Sequence, residues 1–315
     1  MKKVLLTGGT GFIGYHLIKE LHKRNIEFWA ICRPGNSEAE RIKGIKGAHI
    51  ISCDLKDISR LPEICEEREF DAFFHLAWNG ASGELRLDEN VQMENVKCVV
   101  DCVKVAKELQ CKKVIFAGTV CEKQVESIGE IDKFSNSSNY LIAKKYAHVM
   151  AQNIAKKIQQ EIVWCNFYHP IGVFNKKNQI VASVIKKLLE GNKIALGDGK
   201  SLFDVIDVSD LVNAFCIMAD TSLSKDTYFV GSGNPRLLKD YLETVKEIVN
   251  PQMKLGWEEL DLVNLPMEED WLDISEFSNE TGFKVKVRFE DSIKQMREWM
   301  LNEEEYNQKK WDWVF

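Results

Sequence analysis

The chain has no long apolar run: nothing in it approaches the roughly 18 residues that a membrane span needs. The apolar stretch after the two lysines of MKKVLLTGG is too short for the core of a secretory signal. Paired cysteines are missing too. Nine are scattered from Cys32 to Cys216 without a CxxC spacing. That scatter argues against a disulfide framework or a zinc site, so no metal is expected, and it argues for a reducing, cytoplasmic setting. Prolines number only six, and no serine- or proline-rich linker, internal repeat or low-complexity tract interrupts the chain. Positive charge is not in excess: 42 Lys and Arg against 48 Asp and Glu leave a net charge of −6. This balance disfavours nucleic acid as a partner. What is present is an ordinary globular composition, 45% hydrophobic and 29% charged over 315 residues, which excludes disorder, collagen and coiled coil. The length suits one large domain or two fused ones.

Through residue 170 short apolar runs alternate with helical patterns. KKVLLT (2–7), IEFWAIC (26–32), HIISC (49–53), DAFFHLA (71–77), KKVIFAG (112–118) and EIVWCNF (161–167) read as buried strands. Near-continuous apolar runs of this kind fit a parallel sheet covered on both faces. Helices are expected at 12–24, 89–110 and 139–159, the last with an apolar stripe of Ile142, Tyr146, Met150 and Ile154 at i+4 spacing. Strands alternating with helices predict an α/β fold, a Rossmann-type doubly wound parallel sheet. Beyond 170 the glycine-rich turns GNKIALGDGK and VGSGNP separate shorter helices near 179–190, 208–220, 236–249 and 287–301. The pattern predicts a cofactor domain over 1–170, to which about 201–222 return, and a smaller C-terminal α/β substrate lobe over 171–315. The tail NQKKWDWVF carries three aromatic rings, expected to pack back onto the protein or to form a self-association patch.

In KKVLLTGGTGFIGYHLIKEL a strand runs into a glycine turn that opens a helix, with Gly8, Gly11 and Gly14 spaced GxxGxxG. The first glycine permits the tight turn, the second lets backbone approach a pyrophosphate, and the third allows close helix–strand packing. The helix N-terminus then offers free N–H groups and partial positive charge to the phosphates. A nicotinamide dinucleotide is therefore expected, held by Gly8, Thr10, Gly11, Phe12, Ile13 and Gly14. The second strand ends in Cys32-Arg33-Pro34, with no carboxylate before Glu38. A guanidinium there pairs with a 2′-phosphate, which favours NADP(H) over NAD(H); the other reading is a solvated loop arginine. Asp54 and Leu55 follow the third strand, where the carboxylate can accept from the adenine amino group or serve as a turn or N-cap residue.

Tyr140 and Lys144 stand four apart at the start of a helix, hence on one face. An ammonium beside a phenol favours the phenolate and brings its pKa toward neutrality. Thr119, at the end of the fifth strand, opens into the crevice where ligands of such sheets bind, and its hydroxyl can hydrogen-bond the oxygen that Tyr140 protonates or deprotonates.

With these residues in place the chain resembles the extended short-chain dehydrogenase/reductases, the NAD(P)-dependent nucleotide-sugar epimerase/dehydratase/reductase family. TGGTGFIG is similar to its cofactor loop and CDLKD to its adenine-side acidic turn. HLAW resembles its fourth-strand end, placing Leu76 and Ala77 against the cofactor and Trp78 toward the substrate. Asn95 matches an asparagine of its fourth helix, and Thr119, Tyr140 and Lys144 match its catalytic set. GDGKSLFDVIDVSDLVNAF and DISEFSNETGFKVKVRFEDSI resemble its sugar-nucleotide segment and its C-terminal signature. The resemblance implies that Tyr140 passes the proton, Lys144 lowers its pKa and holds the ribose, and Thr119 orients the sugar oxygen. Hydride then passes between nicotinamide and a sugar carbon. It also implies a homodimer through the helices 89–110 and 139–159.

Several departures narrow the expectation. A 4,6-dehydratase of the family carries Asp-Glu after the catalytic threonine; here Val120-Cys121 follow, with Glu122 three residues on as a candidate acid. Cys121 is similar to the arrangement in GDP-fucose synthase, a 3,5-epimerase and 4-reductase, but the partner histidine is missing from PIGVFNKKNQIVASVI, so a small filler is the alternative. His169 can approach the nicotinamide or be an ordinary loop histidine. The sixth-strand arginine is replaced by Asn166, and the arginine that commonly grips the diphosphate by Phe203; Arg236 or Arg288 can supply that charge or be solvated. The leading expectation is an NAD(P)H-dependent 4-reductase of an NDP-4-keto-6-deoxyhexose, with Tyr140 as proton donor. The alternatives are a nucleotide-sugar 4-epimerase with tightly bound NAD and a non-catalytic NADP-binding regulator.

Overall fold

A computed structural model describes residues 1–125, 138–260 and 267–308. The described residues divide into two compact units, one drawn from Met1–Phe167 with Val212–Phe229, the other from Tyr168–Leu211 with the described residues from Val230 onward. The aromatic tail residues Trp311, Trp313 and Phe315 lie outside the described residues.

The first unit is a seven-stranded sheet. Its strands are β1 (Lys3–Thr7), β2 (Glu27–Cys32), β3 (Ala48–Ser52), β4 (Ala72–His75), β5 (Lys113–Ala117) and β6 (Glu161–Asn166). Then, after β7 (His169–Ile171), β8 (Leu202–Phe203) and β9 (Val205–Asp207), comes β10 (Thr227–Phe229). Its order is β10-β6-β5-β4-β1-β2-β3 and every pairing is parallel. The apolar runs are continuous because both faces are covered: Leu5, Phe73, Phe74, Val114 and Trp164 are wholly buried. Each such side chain contributes about 1.5–3 kcal/mol through burial. From β1 the chain builds outward through β2 and β3, then returns to start β4 on the other side of β1. The carboxyl ends of β1 and β4 therefore flank a switch point, the place where open α/β sheets bind ligands.

The helices Glu89–Glu108 and Ser138–Ile158 pack on one face of this sheet. The second of them corrects one expectation. Of the predicted apolar stripe, Tyr146 is 61% and Met150 42% exposed. The buried row lies one residue further on, at Ala143, Ala147, Ala151 and Ala155. A spacing of four defines several parallel rows on a helix, and here the row of small residues faces inward, where the helix lies close against the Glu89–Glu108 helix.

In the second unit the helices Ile180–Glu190, Leu238–Val249 and Phe289–Leu301 enclose a core of Ile185, Leu188, Tyr241, Val245 and Met296. β7 pairs in parallel with β9, and β8 antiparallel with β11 (Arg236–Leu237). The short helices Ser37–Lys43 and Ser275–Thr281 lie outside the sequence-based expectation. All nine cysteines are free, and all but Cys121 are buried. No helix among the described residues is long and apolar enough to cross a membrane.

Candidate functional site

The turn after β1 is shaped by its glycines. Gly8 takes φ +75°, and a Cβ there would come within 2.8 Å of the Ala77 nitrogen. A Cβ on Gly14 would overlap the Gly8 carbonyl oxygen. Gly11 differs: a Cβ would touch only that oxygen, at 3.3 Å, so the room in front of it is open. Gly11 begins the Phe12–Lys23 helix without a side-chain cap, and the first intrahelical bond runs from the Tyr15 N–H to the Gly11 carbonyl at 2.9 Å. The amides of Phe12, Ile13 and Gly14 precede that bond, at the positive end of the helix. The arrangement fits a dinucleotide pyrophosphate.

Around this turn the other predicted cofactor residues are set by their own contacts. Arg33 is exposed just past β2, and Asn36 Nδ2 donates to Thr10 Oγ1 at 3.4 Å. Asp54 caps the turn Leu55–Arg60 by accepting from the Lys56 N–H at 3.0 Å, while Leu55 packs against the core. Thr7 Oγ1 lies 2.9 Å from His75 Nδ1 and accepts from the Ala77 N–H at 3.3 Å, which ties the β1 and β4 ends together beside Leu76. Burial and the nearby Lys144 push His75 down to about 3, so it is neutral. Cys98 and Cys102 place their thiols within 4.8 Å of the His75 ring nitrogen. That ring nitrogen is already engaged by the Thr7 hydroxyl and by Cys102 Sγ at 3.4 Å, which gives the group a packing role in the core.

Thr119, Tyr140 and Lys144 gather past the end of β5. Thr119 is buried and opens the Val120–Gln124 turn, its Oγ1 accepting from the Cys121 N–H at 3.3 Å. Lys144 is buried, donates from Nζ to the Ala117 carbonyl at 2.7 Å, and stands 3.8 Å above the Trp78 ring. Trp78 also meets the Tyr140 ring edge-on at 5.9 Å. Burial pushes the Lys144 ammonium down to about 7, opposed by the Glu122 carboxylate. Burial likewise pushes the Tyr140 phenol up to about 12. The cation that opposes this rise is Arg86, 4.1 Å from the phenol ring, rather than the expected Lys144. Burial pushes the neighbouring Cys121 thiol up to about 11, so it stays protonated at neutral pH.

Glu122 turns inward. It is 3% exposed, its Oε1 lying 2.6 Å from His148 Nδ1 and accepting from Asn166 Nδ2 at 3.1 Å. Asn166, in the place of the family's arginine, thus holds this carboxylate. Arg86 and His148 escaped the sequence reading. Arg86 is presented by a loop that Gln92 and Asn95 brace. Gln92 Nε2 donates to the carbonyls of Gly80 and Leu85, and Asn95 takes both the N–H and the carbonyl of Asn79. A legible signal did exist for His148, since Tyr140, Lys144, His148 and Gln152 recur at i+4.

The remaining candidates lie in the second unit. His169 opens β7, buried and pushed down to about 4 by that burial, with the Phe203 ring 5.4 Å away. Arg236 pairs with Phe203 across β11 and β8, its guanidinium 4.4 Å from the Tyr241 ring. Beside it the buried Asp204 carboxyl is pushed up to about 6, against the pull of the Ser232 N–H and hydroxyl. Arg288 is exposed and forms an ion pair with Asp291 at 2.9 Å.

The sequence model described as the NAD dependent epimerase/dehydratase family matches residues 4–231. The chain is 28% identical over 304 residues to dTDP-4-dehydro-6-deoxyglucose reductase of Escherichia coli, covering 92% of this chain and 95% of that one. It is 25% identical over 289 residues to the probable UDP-arabinose 4-epimerase 3 of Arabidopsis thaliana, covering 81% and 70%. Among solved structures it resembles the UDP-glucose 4-epimerase of Thermotoga maritima with UDP-glucose, at TM-score 0.77 and 19% identity over 96% and 99% of the two chains. The NAD-bound dTDP-glucose 4,6-dehydratase of Bacillus anthracis is similar at TM-score 0.79 and 17% identity over the whole of both chains. These likenesses show the shared fold.

Proposed function

The chain belongs to the NAD dependent epimerase/dehydratase family, and from that premise we propose that it reduces the 4-keto group of a nucleotide-diphosphate 6-deoxyhexose with NADPH. The observation that carries this reading is the placement of the groups after β5. Tyr140 and Lys144 stand together beside Trp78 past the Thr119 turn, while the nearby carboxylate, Glu122, is turned away into the interior. That leaves Tyr140, which is protonated at neutral pH, as the group that can hand a proton to a developing alkoxide. Elimination of water would need an acid and a base after Thr119, but Val120 is buried and Glu122 is turned into the interior, bound to His148 and Asn166.

In this reading the Gly8–Gly14 turn and the amides of Phe12, Ile13 and Gly14 hold the pyrophosphate, and Asp54, Leu76 and Ala77 line the path beyond. The exposed Arg33 meets a 2′-phosphate. The bound nicotinamide supplies the hydride. Thr119 Oγ1 orients the sugar oxygen, Tyr140 donates its proton to it, and Lys144 steadies the site from above Trp78. Trp78 and Cys121 contact the sugar. The exposed apolar side chains of Tyr146, Val149 and Met150 support a homodimer through this helix.

The test is to purify the protein, identify any nucleotide that comes with it, and offer NADPH or NADH with a dTDP-4-keto-6-deoxy sugar while following absorbance. Stoichiometric NADPH consumption is expected. Tightly bound NAD with turnover and no net oxidation would replace the reductase by the 4-epimerase. Binding without turnover, unchanged in Tyr140→Phe, would point to a non-catalytic regulator.

A further inference from the structure

A continuous buried network begins at Glu122, whose carboxylate acts on Lys144 through space. Glu122 Oε1 lies 2.6 Å from His148 Nδ1, and His148 Nε2 lies 3.0 Å from Thr227 Oγ1. The Thr227 hydroxyl is 3.1 Å from Asp226 Oδ1 and donates to it. Gln152 Nε2 donates to both ends of that last link, at 3.2 Å to Thr227 Oγ1 and 2.9 Å to Asp226 Oδ1. The His148 ring is kept in plane by stacking on Trp164, 4.5 Å between centroids and 3° from parallel. Glu122 and His148 are 3% and 6% exposed, whereas Asp226 is half-buried. The chain of groups thus leads from the solvent side to the turn that follows Thr119.

Donor and acceptor roles along it admit two arrangements. With Thr227 donating to Asp226, its oxygen accepts from the His148 Nε2–H. His148 Nδ1 and Glu122 Oε1 then share a further proton, either as acid and neutral imidazole or as carboxylate and imidazolium. With Thr227 rotated to donate to His148 Nε2, the Nδ1–H donates to a Glu122 carboxylate. The two arrangements differ by one proton on the Glu122–His148 pair, and passing between them moves that proton through the Thr227 hydroxyl to or from Asp226. At the inner end Glu122 Oε2, Trp164 Nε1 and Asn166 Oδ1 are buried without a protein partner. A Cβ on Gly118 would overlap both Trp164 Nε1 and Asn166 Oδ1, so polar atoms line the space left by this glycine next to Thr119.

We propose that Asp226, Thr227, His148 and Glu122 form a proton path that restores the proton Tyr140 gives up in each turnover. The proposal rests on Tyr140 acting as the donor. The balance is one proton in and one out. The Tyr140 O–H bond breaks as the product O–H forms, and Lys144 returns a proton to the phenolate. By way of a water at the otherwise unpartnered Glu122 Oε2, the Glu122–His148 pair replaces the Lys144 proton, and solvent supplies Asp226 at the outer end. These four are positioning residues that act through Lys144 and Tyr140.

The test uses the full-length protein with Thr227→Val, which removes the hydroxyl, and Thr227→Ser, which keeps it. The first readout needs no substrate: nitrogen NMR of labelled histidine follows His148. Thr227→Val is expected to shift the Nε2 signal and Thr227→Ser to leave it near wild type. The second is turnover of the 4-keto sugar nucleotide with NADPH in light and heavy water. Thr227→Val is expected to lower kcat on the order of tenfold, less than the loss of a direct acid–base group, with KM nearly unchanged and a larger solvent isotope effect. Thr227→Ser is expected to restore kcat. Wild-type kcat in Thr227→Val, or an equal loss in Thr227→Ser, would overturn the path. An unchanged Nε2 signal in Thr227→Val would overturn the chain of hydrogen bonds itself. Failure of the wild type to turn over any sugar nucleotide would remove the reductase reading and the purpose of the path, while the His148 signals would still report on the chain.

Discussion

The Ser138–Ile158 helix presents two faces that reverse the usual sorting of side chains. Inward it carries Tyr140, Lys144, His148 and Gln152 beside a row of alanines; outward it carries Tyr146, Val149 and Met150. A polar group costs free energy to bury unless it finds a partner. Partners are supplied on the inner face: the Ala117 carbonyl and the Trp78 ring for Lys144, Glu122 and Thr227 for His148, Asp226 for Gln152. The outer face leaves several apolar side chains close together in solvent, more than the isolated ones an ordinary surface carries. One face is therefore shaped by chemistry, and the other carries the apolar patch proposed as the dimer contact.

The strongest way to break the inner face is Tyr140→Phe. It removes one hydroxyl and keeps the ring between Trp78 and Arg86. Turnover is expected to fall roughly 10²–10⁴-fold, the usual worth of a positioned acid, with the melting temperature almost unchanged. A steady-state assay beside a thermal melt checks both halves.

Next comes Lys144→Met, read through stability against pH. The folded Lys144 sits at about 7, below its ordinary 10.5. Between those values the unfolded chain binds more protons than the folded one, so wild-type stability rises with pH across that window. Below about 7 the residue is charged in both states, and its contribution no longer changes. The methionine variant lacks this dependence. The stability of wild type relative to variant is expected to climb by roughly 2–4 kcal/mol from neutral to strongly basic pH, the slope being at most about 1.4 kcal/mol for each step of one in pH. Urea unfolding at several pH values measures it, and a flat difference would contradict the burial of this ammonium.

A smaller effect is expected from the alanine row. Ala147 is wholly buried in the core. Ala147→Leu adds three carbons to a filled core and is expected to cost about 1–3 kcal/mol in chemical denaturation. Ala143→Gly at the same row should cost about 1–2 kcal/mol, from the helix penalty of glycine and the lost burial of one methyl.

Much of the first unit was legible because its strands are buried on both faces, so composition alone marks them. The glycine turn was legible for a similar reason: Gly8 and Gly14 answer to steric demands that no other residue meets. The pairs β7–β9 and β8–β11 were not, since two or three residues carry no periodicity. The orientation of the Ser138–Ile158 helix was misread because Ile142, Tyr146, Met150 and Ile154 repeat at the same spacing as the alanines. Only packing in the core chooses between the rows. Arg86 was illegible for another reason: its partner ring is 54 positions away, and a loop held by Gln92 and Asn95 brings the two together. Glu122 could be found as a candidate acid, but its inward turn depends on His148 and Asn166 from two other elements.

The outer face gives the mildest perturbation and so the cleanest separation of the two. Tyr146 and Met150 stand one helical turn apart, and Val149 lies between them on the same side. A charge placed there meets water in the monomer, so Tyr146→Glu with Met150→Glu is expected to change monomer stability by no more than about 0.5 kcal/mol per site. Between two copies of this face the same four charges per dimer would repel one another, and the apolar area would no longer be removed from water. Sedimentation of wild type is expected to show a dimer, and of the double variant a monomer. Its melting temperature should then lose any dependence on protein concentration, because association no longer contributes to stability. Turnover per chain should survive, since the inner face keeps every partner of Tyr140, Lys144 and His148. A double variant that remains dimeric would move the interface elsewhere. One that turns monomeric and also loses turnover would show that the two faces are coupled through the helix rather than independent.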